Sequence, residues 1–218
     1  ELCKDEYIVR KCANRVKRLE DIYKYVKDLA PEIVLDKLEK NSYVVDIGPG
    51  PGEFLELGRY FGYKQIGFDA KIEDCEMGKE YVLFSSLISR TQDLNIQYCD
   101  FYEVKNNLPL NTGSVSLINS RGSIEQVFKS HMKGTPHKVN KEAKQLAWIV
   151  DEDLEAEFLK MFLEFTRVLK TNGIVLIHGN GASNVEEYNT LLIKTLKKVD
   201  NLVLEASDGI RLHRFRKI

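Results

Sequence analysis

Apolar positions along the chain fall into two spacings, one of three and four residues and one of short unbroken runs. From Ile8 to Leu29 the residues Ile8, Cys12, Val16, Leu19, Tyr23 and Val26 recur at helical steps, which predicts a long amphipathic helix. Pro31 opens a second, short helix through Leu38, and Asn41 and Ser42 signal a turn. Tyr43 to Ile47 is a β-branched run almost without polar interruption, the pattern of a strand buried on both faces of a parallel sheet. Helix and strand patterns then alternate: helix Glu53 to Phe61, strand Gln65 to Phe68, helix Glu73 to Arg90, strand Asn95 to Cys99 and strand Val115 to Ile118. Asp151 to Lys170 predicts a helix with Leu154, Phe158, Met161, Phe162, Phe165 and Leu169 on its buried face, closed by Asn172 and Gly173. Ile174 to Ile177 is a further strand and Val185 to Lys198 a further helix. Leu202 to Leu204 and Ile210 to Phe215 flank Ser207, Asp208 and Gly209 as an antiparallel hairpin.

This βαβ rhythm predicts an α/β doubly wound sheet. At 218 residues and 43% hydrophobic content the chain suffices for one domain with one core, spanning 1–218, in which 1–40 form an N-terminal helical segment. Residues 129–150 break the periodicity with Gly134, Pro136, two histidines and several lysines, and predict an inserted loop or lid. Lys and Arg total 32 against 33 for Asp and Glu, so no overall field draws the chain to nucleic acid or an anionic membrane. Four cysteines without a CxxC pair fit a reducing, cytoplasmic setting. No apolar run reaches the roughly 20 residues of a membrane span, and no membrane partner is expected.

The most informative stretch is Asp46-Ile47-Gly48-Pro49-Gly50-Pro51-Gly52-Glu53, running from the first strand through a glycine turn into a helix. In a doubly wound sheet that crossover lies where ligands bind, and glycine lets backbone approach a ligand closely. The dinucleotide spacing G-x-G-x-x-G fails here, because its last position is Glu53 and the third glycine comes one residue early. A carboxylate in the first helical turn opposes a pyrophosphate and is compatible with a cationic ligand. Two more strands end in acids: Phe68-Asp69-Ala70 and Cys99-Asp100-Phe101.

Asp46-x-Gly48-x-Gly50-x-Gly52 resembles the first motif of the class I S-adenosylmethionine-dependent methyltransferases. The resemblance extends over residues 43–180 and implies a Rossmann-like, seven-stranded sheet, mostly parallel with an antiparallel C-terminal strand. It implies S-adenosyl-L-methionine as cofactor and S-adenosyl-L-homocysteine as product. The loop residues Asp46, Ile47, Gly48, Pro49, Gly50 and Gly52 would enclose the methionine end. Asp69 would take the ribose hydroxyls, with Phe68 and Ala70 beside it at the cofactor, and Asp100 and Phe101 would meet the adenine. The stretches Leu108 to Ile118 and Phe165 to Gly173 resemble the small-molecule branch, although Ser116 stands where many relatives carry an acid.

Asn119 and Ser120, following the fourth strand, are expected beside the cofactor. Arg121, Glu125, His131 and His178 are candidates for the acceptor, and no catalytic residue is assigned. His131 and His137 form no metal pattern with nearby Cys, Asp or Glu, so no metal is expected. The basic insertion and the C-terminal Arg211, His213, Arg214, Arg216 and Lys217 leave RNA or protein methylation open. A non-catalytic S-adenosylmethionine-binding protein of the same fold is a further alternative, and a nicotinamide oxidoreductase is disfavoured by Glu53 and the terminal hairpin. Oligomeric state is left open.

Overall fold

The computed structural model describes residues 14–35, 37–69, 93–98, 107–125, 152–179, 185–209 and 212–218. The predicted helix 73–90 and the insertion 129–150 lie outside them. Seven strands among the described residues form one sheet in the order β3-β2-β1-β4-β5-β7-β6. The chain groups into two compact units, Glu1–Cys99 and Asp100–Ile218.

The first unit holds helices α1 (Arg15–Leu29) and α2 (Pro31–Val34), strand β1 (Tyr43–Ile47), helix α3 (Glu53–Tyr60) and strands β2 (Lys64–Asp69) and β3 (Ile96–Tyr98). β1 runs parallel to β2, and β2 to β3. Val44, Val45 and Ile47 of β1 are fully buried, as their unbroken apolar run requires of a strand covered on both faces. Phe54 and Leu55 of α3 and Ile66 and Phe68 of β2 belong to the same core.

The buried stripe of α1 differs from the predicted one. Val16 is 67% exposed and Tyr23 lies out beside Phe61, whereas Ile22 and Val26 are buried. The inward face continues toward the N-terminus through two arginines rather than apolar residues, because α1 meets the charged first turn of α3. α2 is also shorter than predicted: it stops at Val34, and Leu35 is exposed.

The second unit holds β4 (Val115–Arg121), helix α4 (Glu152–Val168), β5 (Leu169–His178), helix α5 (Val185–Leu196), β6 (Leu202–Ser207) and β7 (Leu212–Lys217). β4 and β5 are parallel, whereas β7 is antiparallel to both β5 and β6. Phe158, Met161, Phe162 and Phe165 form the buried face of α4. Arg167 ties the approach to β4 onto this helix. Its guanidinium donates to the carbonyls of Leu108 and Leu110 at 2.9 and 3.0 Å and pairs with Glu164, whose Oε1 accepts the Leu108 amide at 2.6 Å. That pairing raises the Arg167 pKa further, against a smaller opposing effect of burial.

Asn172 and Gly173 do not cap α4. The helix ends at Val168 and β5 begins at once, with an irregularity in register between the pairs Val115–Leu169 and Leu117–Ile174. Asn172 takes up the irregular turn with φ 65°, a left-handed conformation its short polar side chain tolerates better than most.

Candidate functional site

The register of β1 on β2 pairs Ile47 with Phe68, which sets Asp69, the last residue of β2, level with Gly48. The Gly48 amide donates to the Phe68 carbonyl at 2.7 Å, so the ladder continues one step past β1 before the chain turns. Gly48, Gly50 and Gly52 then take φ values of 69°, 52° and 83°, three left-handed residues in five. Pro49 closes a turn through its carbonyl to the Gly52 amide at 2.9 Å, and Gly52 caps α3 by accepting the Glu56 amide at 2.9 Å.

Two glycines hold this turn for different reasons. A Cβ on Gly52 would collide with Leu94, and its left-handed backbone disfavours any L side chain there. Gly67, in the middle of β2, makes room for the loop itself: a Cβ would stand 2.8 Å from Pro49 Cγ and 2.8 Å from Leu55 Cδ1. Sequence reasoning missed Gly67 and Leu94. The glycine inside the Ile66-Gly67-Phe68 strand pattern was the available signal, since a strand glycine often marks close approach of another backbone.

Four acids surround the loop along the chain. Asp46 is 3% exposed at the end of β1, and Asp69 is half-buried at the end of β2. Glu53 and Glu56 sit in the first turn of α3, where carboxylates favour the positive end of a helix. Arg18 donates from Nε to Glu53 Oε1 at 2.6 Å, Arg15 Nη1 lies 3.8 Å from the same oxygen, and Arg15 Nη2 donates to Glu56. The Glu53 charge is thus offset within the chain, and it no longer opposes a phosphate on electrostatic grounds. The stronger distinction from the dinucleotide fold is topological: there the order is 3-2-1-4-5-6, without a reversed strand set between the fifth and sixth. Ala70, Asp100, Phe101 and His131 lie outside the described residues.

In the second unit, Asn119, Ser120 and Arg121 do not follow the fourth strand but are its last three residues, in register with Leu176, Ile177 and His178. Asn119 and Ser120 are almost fully buried, and Arg121 is exposed. Their polarity hid them from a hydropathy reading, although β4 is buried as far as Ser120. Gly122, at φ 82°, donates to the His178 carbonyl at 2.6 Å and turns the chain into a short helical stretch containing the buried Glu125. Burial, and secondarily the charge of Glu125, pushes the Tyr188 hydroxyl far above its ordinary pKa, so it is a proton-bearing group at any physiological pH.

His213 of β7 was counted in the sequence only as part of a basic tail, yet it is fully buried. Its Nε2 lies 2.8 Å from Asn189 Oδ1 and its Nδ1 2.9 Å from Ser207 Oγ. Burial holds its pKa below the usual imidazole value, against a smaller opposing influence of Asp208. Among the described residues no group of three or more His, Cys, Asp or Glu is arranged to hold a metal ion, and no helix is long and apolar enough to cross a membrane.

No family model and no curated protein matches the sequence. Solved structures do match in fold. A S-adenosylmethionine-dependent methyltransferase from Archaeoglobus fulgidus aligns at 13% identity over 94% of both chains, with a TM-score of 0.53. A protein from Pyrococcus horikoshii OT3 aligns at 12% identity over 90% of this chain and 91% of its own, also at 0.53. A Methanococcus maripaludis protein proposed to be a S-adenosyl-L-methionine-dependent methyltransferase aligns at 16% identity over 92% of each chain, at 0.50. With the reversed β7 between β5 and β6, the chain has the Rossmann-like fold found in S-adenosylmethionine-dependent methyltransferases.

Proposed function

We propose that this chain is a S-adenosylmethionine-dependent methyltransferase acting on a small molecule. The observation that carries the reading is Asp69 closing β2 level with a loop of three left-handed glycines between β1 and α3. This arrangement fits the cofactor chemically: tight backbone offers amides and carbonyls at close range, and a carboxylate at a strand end can accept hydrogen bonds from both hydroxyls of a ribose. The fold neighbour from Archaeoglobus is a S-adenosylmethionine-dependent methyltransferase, and the one from Methanococcus is proposed to be one.

When bound, S-adenosylmethionine supplies a methyl group on a sulfonium, open to in-line displacement. In this proposal Asp46, Ile47, Gly48, Pro49, Gly50 and Gly52 hold its amino-acid end, Phe68 and Asp69 its ribose, and Asn119 and Ser120 complete the cofactor contacts. Arg121, Glu125 and His178 are the proposed acceptor contacts. No dedicated base is required for an acceptor already deprotonated at working pH, so positioning and exclusion of water carry the rate. The acceptor is placed among small molecules because Leu108 to Ile118 resembles that branch.

Calorimetric titration tests the reading. S-adenosylhomocysteine is expected to bind and NADH not to; the reverse pattern refutes the proposal. Asp69→Ala should weaken S-adenosylhomocysteine by about 2 kcal/mol, roughly thirtyfold, the size of a charge-assisted hydrogen-bonding loss.

A further inference from the structure

We infer that Arg15 and Arg18 of α1 are positioning residues for the glycine loop, clamping the first turn of α3 so that the loop is held ready for its ligand. The inference rests on the cofactor reading above and deepens it.

Three left-handed glycines within five residues give a turn with little intrinsic preference for one conformation, since glycine visits both signs of φ almost equally. A ligand that had to order such a turn would lose affinity to the ordering. Restraint must come from the ends. At the β1 end the Gly48 amide is bonded to the Phe68 carbonyl, and Pro49 lies against Gly67. At the other end Gly52 passes directly into Glu53, whose position sets where the loop finishes.

Glu53 is held from outside its own helix. Arg18 binds it at 2.6 Å, and Arg15 reaches both Glu53 and Glu56. Two guanidinium groups meet two carboxylates, so the cluster is neutral in sum. Side chains of Arg15 and Glu53 are only 12% and 10% exposed, and pairs so far out of water resist screening by salt. An apolar stripe would also dock α1 on α3, and Ile22 and Val26 already supply one. The arginines add direction: a bonded carboxylate on the first helical residue fixes the helix start, which apolar contact alone leaves free to slide.

The test measures S-adenosylhomocysteine affinity by calorimetry on the full chain, at a temperature where circular dichroism shows every variant folded. Arg15→Ala with Arg18→Ala is expected to raise Kd at least tenfold. The pair Arg15→Lys with Arg18→Lys, which keeps both charges, should recover to within about threefold of the parent. Removing the partners as well, with Glu53→Gln and Glu56→Gln, should add no further loss to the double alanine variant, because the clamp is already broken. Should the double alanine variant fail to fold, Arg15→Gln and Arg18→Gln singly carry the same criterion. A parent that binds and a double alanine variant that keeps the parent's Kd while losing only thermal stability would overturn the clamp and leave the methyltransferase reading standing. A parent that does not bind S-adenosylhomocysteine overturns both.

Discussion

Beside the glycine loop the polar groups drawn out of water are ions: the half-buried Arg15 and Arg18 against the buried Glu53 and the half-buried Glu56. In the C-terminal hairpin they are neutral, with His213 set between Asn189 and Ser207. Both arrangements satisfy groups that would be costly to bury alone, and they fail under different stresses. An ion pair held out of water is strongly affected by loss of one partner, which strands a charge. A buried neutral imidazole tolerates salt and responds to protons. The hairpin network also joins distant segments, since Asn189 Nδ2 donates to the Gly209 carbonyl at 3.2 Å and the Gly209 amide to Ser207 Oγ at 3.0 Å. The loop region is therefore arranged to be held still, and the hairpin to keep a reversed strand in place.

The largest expected effect breaks the loop side of this comparison. Gly52→Ala combines left-handed strain with a collision against Leu94, and should cost about 3 kcal/mol in urea unfolding while also weakening S-adenosylhomocysteine. Next, His213→Ala leaves Asn189 and Ser207 without their buried partner and should cost about 2 kcal/mol in the same measurement, with cofactor affinity unchanged.

The hairpin should also show in a pH series. The folded His213 pKa is depressed, so its contribution to stability is fully present above the unfolded value of about 6.5 and is lost as pH falls from there toward the folded pKa. One proton changes stability by at most about 1.4 kcal/mol per pH unit, and the slope in that window should be shallower in His213→Ala. The smallest effect sharpens the contrast between buried and exposed ions. Glu205, at the exposed edge of the hairpin, pairs with Arg216 and Arg214, and these bonds lower its pKa. Glu205→Gln should cost about 0.5 kcal/mol, and 1 M salt should erase the difference from the parent, whereas the loss in Arg18→Ala should persist in salt.

The same contrast accounts for what could be read before the fold was known. β1 was legible to the residue because burial on both faces leaves only apolar side chains between Tyr43 and Ile47, with Asp46 as the exception. The reversed β7 was legible from the turn residues Ser207 to Gly209. The inward face of α1 was not, since part of its contact is made by arginines that hydropathy counts as outward. β4 was read three residues short because Asn119, Ser120 and Arg121 end it with polar side chains, two of them buried. At the candidate site the glycines and the strand-end acids stood out from spacing alone. Gly67 carried only the weak mark of a glycine inside a strand, and Leu94, Arg15 and Arg18 carried none, because their role depends on which segments meet, and a single sequence carries no record of that.

The most direct test is a crystal structure of the chain with S-adenosylhomocysteine. We expect the ribose hydroxyls on the Asp69 carboxylate and the homocysteine end against the Gly48 to Gly52 backbone. A ligand bound elsewhere, or protein side chains filling the space above those strand ends, would contradict it.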